Sequence, residues 1–229
     1  MYGIMKWVVT RIMHLLYRYE VVGAENFALE GPAIVVVNHL HLLDPLAVAP
    51  ISPRQIVTLA ASKWRSNLLV GTVLRLAGVI FVRRGEVDRE ALRACQNVLS
   101  AGGMLAIAPE GTRSRTGQLQ HAKAGVAYIT MRTGATLLPV AVWGVEKLSM
   151  WFRFKRPTCY VAVGRPFRLS RPDGKITTDI LREMADEVMI EIGRMLPSEY
   201  RGVYAETIAA VDAGESPESP FKWIERSGA

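Results

Sequence analysis

Cysteine is scarce. Two occur in 229 residues, Cys95 and Cys159, and they do not stand at metal-binding spacing. That argues against a disulfide framework and fits a reducing compartment. Histidine is nearly as rare, at four residues. No apolar run reaches the roughly 20 residues that a membrane span needs, and the N-terminal stretch lacks the long apolar core and small-residue cleavage site of a signal peptide. There is no G-x-x-x-x-G-K-S/T phosphate loop, no G-x-S-x-G elbow and no nucleophile standing beside a base. Internal repeats, low-complexity tracts and the basic helices or aromatic-studded strands of nucleic-acid binders are missing as well.

What is present supports a packed domain. Half the residues are apolar and 21% are charged, enough to bury a core and too apolar for a disordered chain. The net charge of +7 favours an anionic partner: a phosphate-bearing substrate, an anionic membrane or nucleic acid. The first segment, "MYGIMKWVVTRIMHLLYRYE", carries no acid before Glu20. On a wheel of about 100° per residue, Ile4, Met5, Val8, Val9, Ile12, Met13, Leu15 and Leu16 share one half. Lys6, Trp7, Thr10, Arg11, His14, Tyr17 and Arg18 fall on the other. Such a helix suits a membrane interface, or a surface helix packed on the protein's own core.

Strand and helix patterns then alternate. Strands are expected in "YRYEVV", "GPAIVVVNH", "QIVTLAA", "VIFVRR", "MLAIAP", "TLLPVAVWG" and "PTCYVAVGRPF". Helices are expected from Asp44-Pro45, in "SKWRSNLLVGTVLRLAG", in "EVDREALRACQNVLSAGG", in "AKAGVAYITMRTGA" and in "TTDILREMADEVMIEIGRML". This alternation predicts an α/β fold: a single layered domain with a largely parallel central sheet flanked by helices, preceded by the amphipathic helix. The final stretch, polar and rich in Pro and Gly, reads as a partly disordered tail.

Polar residues directly follow three of the strands, where α/β enzymes keep their chemistry. The first set is His39, His41 and Asp44, the second Arg83 and Arg84, the third Glu110, Gly111, Thr112, Arg113 and Ser114. A parallel sheet brings all three to one edge. Asp44 could cap the helix that Pro45 opens, and it could also hold His39 as a general base. His39, His41 and Asp44 also fit the start of a metal site, although only two histidines remain to complete it. In "EGTRS", Gly111 permits close backbone approach to a ligand. Thr112 and Ser114 offer hydroxyls, and Arg113 offers a fork suited to phosphate, to which Arg84 and Lys123 can add charge. A base with no nucleophile of its own should activate a hydroxyl on the substrate.

Four blocks in order give a resemblance. "NHLHLLD" fits N-H-x-x-x-x-D through Asn38, His39 and Asp44. "GVIFVRR" fits a second block with Arg84, "PEGTRS" a third, and "LLPVAV" a fourth with Pro139. Lys123 and Gly125 match a lysine–glycine pair after the third block, and "LPSEYRGVY" is also similar. Over Val21 to Tyr204 the chain resembles the 1-acylglycerol-3-phosphate acyltransferases of the glycerolipid acyltransferase superfamily. Arg83 departs from the pattern, where relatives often carry an acid, and so does Ala108, where an aromatic is common.

The resemblance implies a layout of residues 1–20 as an interfacial segment, 21–204 as the acyltransferase domain and 205–229 as the tail. It implies catalysis by His39 oriented by Asp44, with Arg84, Arg113 and Lys123 on the acceptor phosphate and Glu110, Gly111 and Thr112 shaping the substrate site. The donor is expected to be acyl-CoA or acyl-carrier protein and the acceptor a lysophospholipid, with no metal or redox cofactor. Glycerol 3-phosphate or another lysolipid are alternative acceptors. The enzyme is expected to lie peripherally or monotopically on the cytoplasmic side of the cell membrane, docked by Lys6, Arg11 and Arg18. A metal-dependent hydrolase and a non-catalytic binding module remain as rival readings.

Overall fold

The computed structural model describes residues 2–83, 85, 88–214 and 221–226. Its main sheet is built from Arg18–Val22 (β1), Ala33–Val37 (β2), Ile56–Ala61 (β3), Ile80–Val82 (β4), Met104–Ile107 (β5), Thr136–Trp143 (β6) and Thr158–Val163 (β7). Around it lie helices Tyr2–Leu16 (α1), Asp44–Val48 (α2), Val70–Leu76 (α3), Arg89–Ser100 (α4), Gly125–Thr133 (α5), Thr178–Arg194 (α6) and Ala205–Asp212 (α7). A separate antiparallel pair joins Arg168–Leu169 (β8) to Ile224–Glu225 (β9).

The strand order is β1-β7-β6-β2-β5-β3-β4. The five strands from β6 to β4 are mutually parallel, and β7 runs antiparallel to β6. β2 is buried along its whole length, as a β-branched run in the middle of a covered sheet must be. Its side chains alternate between two cores. Ile34 and Val36 pack with Cys95 of α4, Val126 and Ile129 of α5 and Val188 of α6. Ala33, Val35 and Val37 pack with Met13 of α1 and with Ala47 and Val48 of α2. Pro139 is tolerated inside β6 because its nitrogen points to the β7 side, where the ladder has already given way to the Gly164 amide bonding the Pro139 carbonyl at 2.8 Å.

Three expectations change in the structure. The apolar half-wheel of α1 divides. Met5, Val9, Met13 and Leu16 turn towards the protein, whereas Ile4, Val8, Ile12 and Leu15 are exposed, as is Trp7 of the other half. The Lys6 ammonium is bound inward to the Ser52 carbonyl. The single helix expected over residues 62–78 is a 3₁₀ turn at Ser62–Trp64 followed by α3. There the Asn67 side chain accepts the Leu69 and Val70 amides at 3.2 and 2.9 Å and starts a new helix. Finally, the stretch read as a tail contributes α7, with Ile208 buried, and β9. Trp223 is buried beside β9, and the Glu187 carboxylate accepts the Lys222 and Trp223 amides at 2.9 Å each. Two bulky apolar groups outweigh the polar composition around them.

Candidate active site

The site begins where β2 ends. Asn38 is fully buried, and its side-chain amide bonds the Val142 carbonyl and amide reciprocally at 2.8 Å each. It thus continues the β2–β6 ladder by one rung and fixes the residue that follows. His39 is held through both backbone groups. Its amide donates to Glu110 Oε1 at 2.8 Å and its carbonyl accepts the Ser114 amide at 2.8 Å. The third motif therefore clamps the first.

Asp44 does not cap α2 in the expected way, since no amide further along the helix bonds its side chain. Its carboxylate turns back, and Oδ2 accepts the His41 amide at 2.6 Å. The same oxygen lies 3.7 Å from His39 Nδ1. His39 Nδ1 and Asp44 Oδ1 are both buried without a hydrogen-bond partner. Buried orphans are few in folded proteins, and a catalytic role is one of the reasons they are kept. Burial pushes the Asp44 carboxyl above its ordinary range, against the opposing pull of His39 and the His41 amide.

Glu110 is almost fully buried. One oxygen takes the His39 amide and the other the Gln120 amide at 3.1 Å. It braces two backbone segments and does not line the cavity. Burial raises its pKa as well, against those hydrogen bonds. Gly111 sits at φ +69°, and a Cβ there would meet the Lys123 side chain at 2.9 Å, so the lysine stem lies across the glycine. A second brace comes from the chain's end. The Ala122 amide donates to the Tyr204 hydroxyl at 2.9 Å, and that hydroxyl donates to Asp186. The Leu119 amide bonds the Tyr200 carbonyl at 2.9 Å. The similarity noted in "LPSEYRGVY" thus belongs to a clamp on the loop bearing Lys123.

A cavity of about 870 Å³ opens beside His39 and runs between β5, α4 and α5. His39, Gly111 and Lys123 line it, while Thr112 and Arg113 do not, and Arg113 is exposed. Arg84 lies outside the described residues. The cavity's other cations are Arg83, Arg89, Arg93 and Arg132. Sequence reasoning missed the last three. Arg89 and Arg93 stand one turn apart on α4, a spacing that could have flagged a shared face. Asp88 holds the end of β4 to the start of α4 through the Arg83 amide at 2.9 Å and the Ala91 amide at 3.1 Å. Among the described residues no three His, Cys, Asp or Glu side chains are placed to hold a metal ion. His41 Nδ1 faces the Leu43 amide at 3.4 Å.

A largely parallel sheet with a His–Asp pair and a long cavity at its edge, and no nucleophile beside them, fits an α/β transferase acting on a substrate hydroxyl. The family model described as Acyltransferase matches residues 18–143, and the chain belongs to that family of O-acyltransferases. It is 27% identical over 212 residues to the human 1-acyl-sn-glycerol-3-phosphate acyltransferase alpha, covering 86% of this chain and 73% of that protein. A Borreliella burgdorferi 1-acyl-sn-glycerol-3-phosphate acyltransferase is 32% identical over 128 residues, 55% of this chain and 51% of the other. The crystal structure of the Thermotoga maritima 1-acyl-sn-glycerophosphate (LPA) acyltransferase PlsC superposes with a TM-score of 0.62 at 25% identity, over 82% of this chain and 76% of that one.

Proposed function

We propose that this acyltransferase moves a fatty acyl group from acyl-CoA or acyl-carrier protein to the free hydroxyl of 1-acylglycerol 3-phosphate, making phosphatidic acid. The observation that carries the reading is the orphaned His39–Asp44 pair at the mouth of a long, largely apolar cavity edged with cations. With Nδ1 turned to Asp44, Nε2 is left to take the proton from the acceptor hydroxyl. The oxygen attacks the thioester carbonyl, the carbon–sulfur bond breaks, and the imidazolium returns its proton to the leaving thiolate. Asp44 fixes the ring and stabilises the imidazolium. Lys123 with Arg83, Arg89 or Arg93 supplies charge for the acceptor phosphate, and Arg84 and Arg113 remain candidates for the same anion. The step balances without a metal or redox group.

The relatives named above, 1-acyl-sn-glycerol-3-phosphate acyltransferases, support this acceptor. No helix among the described residues is long and apolar enough to cross a membrane. The exposed apolar face of α1, with Arg11 5.4 Å from the Trp7 ring, supports peripheral docking; the proposed side is the cytoplasmic one, where acyl thioesters are made.

The test is thiol release from acyl-CoA and from acyl-carrier protein, with and without lysophosphatidic acid, on wild type and His39→Ala. Release should require the acceptor and fall about 10²–10⁴-fold in the variant. Release without acceptor would mark a thioesterase. Activity lost with a stoichiometric metal would favour the hydrolase reading.

A further inference from the structure

We propose that the turn at residues 151–154 is a second membrane-inserting element, locked to the end of α1 and aimed at an anionic lipid surface. This rests on the peripheral docking proposed above and adds a site of contact in the middle of the chain.

Phe152 and Phe154 are 91% and 99% exposed, with Trp151 beside them at 41%. Two phenyl rings held wholly in water, on a domain with ample core to bury them, mark a contact surface. The turn is not a loose loop. Phe154 is the only non-glycine among the described residues with positive φ, at +54°. It is held there by its own amide on the Trp151 carbonyl at 3.0 Å and by the Lys155 amide on the Met150 carbonyl at 3.1 Å. A bulky residue kept in that conformation, with its ring outward, is strain of the kind retained at functional positions.

The turn also caps α1. A helix leaves its last carbonyls unpaired, and here residues 151 and 156 take them. Trp151 Nε1 donates to the Leu16 carbonyl at 2.7 Å. Arg156 donates to the Tyr17 carbonyl at 2.6 Å and to that of His14. The aromatic turn is therefore fixed against the end of α1 that exposes Ile12 and Leu15. Chemistry selects lipid as the occupant. From Lys147 to Arg156 the chain carries four cations and no acid, and aromatic rings among cations suit an anionic bilayer interface. A bilayer accepts a protruding ring without a preformed pocket, which a protein partner would have to supply.

Cys95 and Cys159 are buried, so Phe152→Cys can be labelled selectively with a polarity-sensitive fluorophore. Its emission should shift to the blue on vesicles of phosphatidylcholine containing phosphatidylglycerol. Phe152→Ser combined with Phe154→Asn keeps a residue tolerant of positive φ at 154. That variant should partition onto the same vesicles at least about tenfold more weakly, the loss expected for one buried phenyl ring. Its turnover on a water-soluble short-chain acceptor should equal wild type. An unshifted label on protein that still co-sediments overturns the proposal and leaves docking through α1 standing. A label that responds to an acidic carrier protein and not to vesicles overturns the choice of lipid. Wild-type protein that fails to co-sediment sinks the docking reading and this proposal together.

Discussion

At the scale of single residues, the candidate site keeps its groups in unfavourable surroundings. Burial raises the Asp44 carboxyl above its ordinary range, so the fold disfavours its charged form. Asp44→Asn keeps an acceptor for the His41 amide while removing that charge. It should lower kcat by about 10²–10⁴-fold with a thermal midpoint no lower than wild type, read by steady-state kinetics and calorimetry on one preparation. Asn38 gives the opposite pattern. Asn38→Ala leaves the buried Val142 amide and carbonyl without partners and should cost about 1–3 kcal/mol, measured as a shift in denaturant midpoint. His39 and Asp44 were legible in the sequence because their spacing across a strand–helix junction is local. Glu110 was legible only as a candidate, since its bond to the His39 amide spans 71 positions and no spacing rule reaches that far.

At the scale of elements, periodicity identified most helices and strands but not what each face meets. Apolar residues of α1 serve two surfaces. Met13 lies in the core, whereas Leu15, two positions on, is 69% exposed. A wheel cannot separate these, because it sees hydrophobicity and not neighbours. The C-terminal strap shows the same limit: Trp223 and Ile224 belong to a polar, Pro-rich stretch, yet they are held against α6 through Glu187. Burial raises Glu187 to about 7 from the model-compound value of 4.5. Between those values the folded protein keeps a proton that the unfolded chain has lost. The group's contribution to stability is therefore complete below the lower value and disappears as pH rises through the upper one. The thermal midpoint of Glu187→Gln should fall less than that of wild type across this window, and equal slopes would count against the assignment.

At the scale of the whole molecule, the sheet assembles a site from segments that are distant in the chain. The order β6-β2-β5-β3 brings the end of β2 beside the end of β5, so His39 and Glu110 meet. The connection between β6 and the reversed β7 carries residues 145–153, and the aromatic turn at 151–154 ends that segment. Neither the strand order nor the reversal can be read from patterning, because every buried strand here has a similar apolar run. The sequence by itself determined the α/β class, the three polar clusters after strands and a His–Asp pair with no nucleophile beside it, since these depend on residue type and short spacing. Only the tertiary structure decided that Glu110 and Asn38 brace the segment bearing His39, that Arg89, Arg93 and Arg132 edge the cavity while Arg113 does not, and that the 151–154 turn caps α1. Those outcomes are set by which surfaces pack together, and packing is a property of the folded whole.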